Sequence, residues 1–69
     1  MRYRVVTKFE TLYTKETEVK IEYTTDFKSA LNAYIIYIEH PEVVFCTIEQ
    51  LGPGSSEYVH KIIAAFNVQ

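Results

Sequence analysis

Three groups of residues in this chain have types that could do chemistry. The first is the stretch LGPGSSEYVHKI, residues 51 to 62, which holds both glycines of the chain. An apolar run precedes it and a helix-like pattern follows. Strand, glycine loop and helix is how proteins cradle phosphates with backbone N–H groups. The phosphate loop needs G-x-x-x-x-G-K-[ST], in which the lysine balances the phosphate charge. Here Gly52 and Gly54 are two apart, Pro53 removes a donor and no lysine follows. Glu57 would occupy the helix start and take up the dipole that an anion uses. The stretch reads better as a chain reversal, with Ser55 or Ser56 capping a tail helix.

The second group is Ser56 and His60, four apart, which on a helix could meet as nucleophile and base. Nothing local orients the histidine, and capping already employs the serine. The third is Cys46 with His40. An apolar surrounding, VVFCTI, raises a thiol pKa and leaves it inert. Two isolated histidines make no metal site, and the carboxylates spread along a solvated face rather than gathering in a cleft. A chain of this size also has little room for a ligand pocket of about 300 Å³. These residues argue against an enzyme and against a cofactor.

The chain has 69 residues and a net charge of −2. That length makes one small domain, residues 1–69, which buries only about 60% of its unfolded surface and so has a marginal core. A single cysteine excludes an internal disulfide and fits a reducing compartment. MRYRVV turns straight into an alternating pattern with no h-region, and the longest apolar run, AYIIYI, is too short for a bilayer. A cytoplasmic protein without a membrane segment is expected. Six tyrosines and four phenylalanines supply core area and also suit interfaces.

The elements that must position these residues follow from periodicity. Residues 3 to 13 alternate as a strand, with Tyr3, Val5, Thr7 and Phe9 on one side and Arg4, Val6, Lys8, Glu10 and Leu12 on the other. Thr17, Val19, Ile21 and Tyr23 alternate against Glu18, Lys20 and Glu22, so a hairpin is expected. A three-residue turn at Thr14, Lys15 and Glu16 sets Lys8 opposite Glu22, Glu10 opposite Lys20 and Phe9 opposite Ile21. Closing the turn one residue earlier would set Lys8 against Lys20 and Glu10 against Glu18, and opposed like charges destabilise a sheet. The turn lacks the Gly or Asn that a left-handed position favours.

TTDFKSALNAYIIYIEHP carries a helix with both ends marked. Thr25 or Asp26 caps the start, and Pro41 forbids continuation. Phe27, Ala30, Leu31, Tyr34 and Ile38 form one apolar stripe, while Ile36 points away from it with Tyr37 to one side. EVVFCTIEQL reads as a strand apolar on both faces: Val43 and Phe45 on one, Val44, Cys46 and Ile48 on the other. In the tail, Val59, Ile62, Ile63 and Phe66 share a helical stripe.

The resulting fold class is α+β, ordered β-β-α-β-α, with a three-stranded antiparallel sheet of order 2-1-3 packed by helices. The third strand is then an edge that wants cover on both faces. Val6, Leu12, Ile36, Tyr37, Val44 and Ile48 together define the expected interaction surface. The expected partner is another protein, quite naturally a second copy in a homodimer. Nucleic acid is disfavoured: Arg4, Lys8 and Lys20 are interrupted by Glu10, Glu18 and Glu22, and the aromatics fall on the other face.

The charged hairpin followed by YTTDFKSALNAYIIYIEH and a strand resembles the plan of small phage-encoded ββαβ proteins. Among these are inhibitors that bind bacterial RNA polymerase. In them the strand before the helix ends in an aromatic and Thr, and the helix opens with a capping residue and Ala-Leu, here Ala30-Leu31. The resemblance covers residues 3 to 50 in organisation and carries no functional residue across. It implies a regulator or inhibitor that occupies a host protein surface.

Overall fold

The computed structural model describes residues 2–52 and 59–68, with the backbone alone for residues 59 and 60. The elements are β1 (Arg2–Glu10), β2 (Thr17–Thr24), α1 (Phe27–Ile38), β3 (Val43–Leu51) and β4 (Val59–Asn67). They form a four-stranded sheet of order β2-β1-β3-β4 with every neighbouring pair antiparallel. The expected β-β-α-β-α order with three strands is therefore corrected in two respects: the tail is a strand, and α1 is the one helix among the described residues. The chain reversal expected at the glycine stretch, from residue 53 on, and its capping serines lie outside the described residues.

The tail imitates a helix for a physical reason. Its pairing with β3 shifts register twice, between Ile48 and Glu49 and between Gln50 and Leu51, so β4 carries extra residues at Ile63 and His60. Each bulge offsets the alternation by one residue. A twice-bulged strand therefore loses the period-two alternation by which a strand is recognised. Ile63, Ala64 and Phe66 pack toward the core, while Ile62 and Lys61 are exposed.

The hairpin register also differs from expectation. Thr11 and Glu16 close the loop through Thr11 N–H to Glu16 O (2.9 Å) and Glu16 N–H to Thr11 Oγ1 (3.0 Å). Four residues, 12–15, lie between them, and Lys15 takes the left-handed position at φ 60°. A four-residue loop pairs odd residues with even ones. Thr7 thus faces Lys20, Lys8 faces Val19 and Val6 faces Ile21, in place of Lys8 with Glu22 and Phe9 with Ile21. A change of one in loop length moves every β2 side chain to the other face of the sheet.

Helix α1 begins where Asp26 accepts a hydrogen bond from Lys28 N–H (3.2 Å) and another from Ser29 Oγ (2.8 Å). It lies mainly over β3 and β1, less over β2 and least over β4. Val5, Ala30, Val43, Cys46 and Ile48 form the buried core, ringed by Tyr3, Phe9, Leu31, Tyr34, Ile38 and Phe66. Val43 joins Cys46 and Ile48 there, rather than Phe45, because a register shift between Lys8 and Phe9 inserts Val44 as a bulge. Strand β3 is not an edge; β4 pairs along its other side.

Candidate interaction surface

One helix can cover one face of a sheet. The face turned away from α1 is laid out by the pairing as three rows across the four strands. The first row is Tyr23, Arg4, Glu49 and Ile62; the second is Ile21, Val6, Thr47 and Ala65; the third is Val19, Lys8, Phe45 and Asn67. Val19, Ile21, Tyr23 and Ile62 are exposed by 57%, 48%, 49% and 57%. The uncharged central row thus runs between two rows that carry charge, with Thr47 buried within it and Ile21 exposed at its β2 end.

The charges on this face are partly engaged. Arg4 Nε donates to Glu49 Oε1 at 2.7 Å, and Thr47 Oγ1 donates to Glu49 Oε2 at 3.3 Å. The bond to Glu49, opposed by desolvation and aided by Tyr23, holds Arg4 above its ordinary pKa. The Arg2 guanidinium lies 5.9 Å from the Tyr23 ring centroid, within reach of a cation–π contact. These pairings hold the rim of the central row in place.

The side of β2 that faces α1 is charged, the reverse of the expected arrangement. Its charges stay wet because β2 is an edge that the helix barely overhangs. Lys20 Nζ lies 3.2 Å from Glu22 Oε1, and Tyr37 Oη donates to the same oxygen at 2.9 Å. Lys20 also sits 5.5 Å from the Tyr37 ring centroid. Contact with the Tyr37 hydroxyl, then with Glu22, raises the Lys20 pKa.

The residues expected to share one surface are dispersed. Val6 lies in the central row of the open face, and Val44 sits half-buried at the β3 bulge beside an open groove with Lys8, Phe45 and Val68. Leu12 projects from the hairpin loop, and Ile36 is 68% exposed on the far side of α1. Tyr37 bridges helix and β2 rim. Ile48 is fully buried and belongs to the core, so it forms no part of a surface. Val19, Ile21 and Tyr23 join this face against the expectation from their alternation, because loop length alone decides their side of the sheet.

The chemistry-bearing residues are occupied elsewhere. His40 Nδ1 accepts from Glu42 N–H (3.1 Å), and its ring stands edge-on to Phe9 at 5.6 Å. Cys46 is buried against Thr7, Sγ to Oγ1 3.4 Å; burial pushes the thiol pKa up and the Thr7 contact opposes it. A cleft of about 420 Å³ between α1 and the β2 rim is lined by Glu22, Tyr23 and Ser29, with no histidine, cysteine or lysine. Among the described residues, no three His, Cys, Asp or Glu side chains gather as a metal site. No described helix is long and apolar enough to cross a membrane.

No protein-family model, curated protein or solved structure matches this chain.

Proposed function

We propose that this chain is a non-enzymatic protein-interaction module that docks a partner protein on the open face of its sheet. One observation carries the reading: the apolar side of β2, Val19, Ile21 and Tyr23, continues into Val6 on a face that α1 does not cover. Apolar surface rimmed by charge marks association sites. The resemblance of residues 3 to 50 to small phage-encoded inhibitors supports a regulator that works by occupying a host protein.

A second reading has one observation in its favour. Tyr23 and Phe45 stand on the open face with Arg4 and Lys8, and RNA-binding sheets combine aromatics with cations in this way. It is the weaker reading, because Arg4 is engaged by Glu49 and the net charge is −2.

The test places a photo-reactive phenylalanine analogue at Ile62 on the open face, or at Ile36 behind the helix, in cells of the native host. Docking at the sheet yields one discrete protein adduct from Ile62 and none from Ile36. Capture of that protein should persist from about 0.05 to 0.2 M salt, a range over which phosphate contacts lose about 10³-fold or more in affinity. Salt-sensitive, nuclease-sensitive capture would assign the face to nucleic acid. Equal, diffuse labelling from both positions would remove the proposal.

A further inference from the structure

Strand β2 ends the sheet on one side, so one row of its backbone N–H and C=O groups has no strand beside it among the described residues. Such an edge is a template for another strand unless it is guarded. The opposite edge, β4, is guarded by its two bulges. Strand β2 pairs with β1 from Thr24 to Thr17 without any shift and carries no bulge; its only guards are the charges of Glu18, Lys20 and Glu22, which reject a strand in any register that opposes like charges and admit one that opposes unlike charges. Helix α1 leaves room beside it, since it lies mainly over β3 and β1.

We infer that β2 pairs antiparallel with the β2 of a second copy, about a two-fold axis through Ile21. This names a partner for one margin of the surface proposed above and rests on that reading. A two-fold contact must be self-complementary, with residue i meeting j and j meeting i. Matching the faces of two β2 strands restricts the axis to pass through a residue. Through Lys20 it would oppose Glu18 to Glu22 twice and Lys20 to itself. Through Glu22 it would oppose that carboxylate to its copy. Through Val19 it would bring Glu16 against Glu22 and leave Tyr23 facing Lys15 in the loop. Through Ile21 it sets Lys20 opposite Glu22 twice, Val19 opposite Tyr23 twice and Ile21 opposite itself.

That last register satisfies both faces at once. Opposite charges meet on the helix side, and aromatic–aliphatic pairs meet on the open side; both stabilise antiparallel ladders. Lys20 and Glu22 side chains are exposed enough, 51% and 39%, to exchange their mutual contact for one across the axis. The axis is perpendicular to the sheet, so the two open faces join into one eight-stranded surface with both helices on the other side.

Charge reversal tests the register. Sedimentation over a wide concentration range should show the parent dimerising. Lys20→Glu and Glu22→Lys should each dimerise about tenfold more weakly, because two attractive contacts become two repulsive ones. An equimolar mixture of the two variants restores opposite charges at both contacts and should form a heterodimer at parental affinity. That rescue also shows that both variants fold. Ile36→Lys, on the side of α1 turned away from the sheet, should dimerise like the parent. A parent that stays monomeric at every concentration, reversals that dimerise unchanged, or a mixture without rescue would each overturn the inference. Cross-linking from Ile62 to a different protein under those conditions would leave the proposed function standing.

Discussion

Two isoleucine truncations separate core from surface. Ile48 is fully buried between β1 and β4 and under α1, whereas Ile36 is 68% exposed. Replacing Ile48 by Ala removes buried methyl groups and leaves a cavity, which costs about 2–5 kcal/mol. A domain of 69 residues has a total stability of about 3–10 kcal/mol at the usual value per residue. Ile48→Ala therefore removes about a fifth of the stability at least and can unfold the chain outright. Ile36→Ala loses little burial and gains helix propensity, so its net effect should stay within about 0.5 kcal/mol. Urea melts followed by circular dichroism measure both. With a urea slope near 1 kcal/mol per molar, the midpoint of Ile48→Ala should fall by about 2 M or more, and that of Ile36→Ala by less than about 0.5 M. Melts at two protein concentrations separate folding from association. A large loss at Ile36 with a small one at Ile48 would mean that α1 presents its other side to the sheet, and would refute the packing described.

Lys15 occupies a left-handed position that costs a side chain about 1 kcal/mol, so Lys15→Gly should raise stability by roughly 0.5–1 kcal/mol in the same melts; a loss would mean the loop closes differently. The Cys46 thiol should react slowly with a thiol reagent in the native state and quickly in denaturant, because it is buried and its pKa is raised by that burial. Asp26 is held below its ordinary pKa by Ser29 first and Lys28 N–H next. Its folded pKa lies below the unfolded one, so its contribution is present above the ordinary carboxylate range and fades as pH falls through the folded value. Thermal melts of Asp26→Asn should therefore lie below the parent at neutral pH and approach it as pH falls through the carboxylate range; a gap that does not change with pH would show that the charge on Asp26 contributes nothing to the cap.

Much of the local structure is legible in the residues. Alternation from Tyr3 to Phe9 marks β1 and its core side, and Asp26 and Pro41 bracket α1 between a cap and a stop. The helix stripe at Ala30, Leu31, Tyr34 and Ile38 meets the core, and Ile36 stands out of it. Of the interaction surface, Val6 is legible, because β1 must turn one side to the core and the other away. These features depend on residues close in the chain, whose spacing directly reports which way each side chain points.

Three features were decided only by the tertiary structure. The side of the sheet on which Val19, Ile21 and Tyr23 stand depends on whether the hairpin loop has three or four residues, and a local pattern is blind to that parity. The tail pairs with β3 as a bulged strand, and its bulges break the alternation that marks a strand, so only the partner strand distinguishes it from a helix. Val43 enters the core in place of Val44, because Val44 bulges against β1. In each case the residues alone specify an alternation, while contacts between distant strands set its phase, and that phase determines which apolar residues are left on the open face.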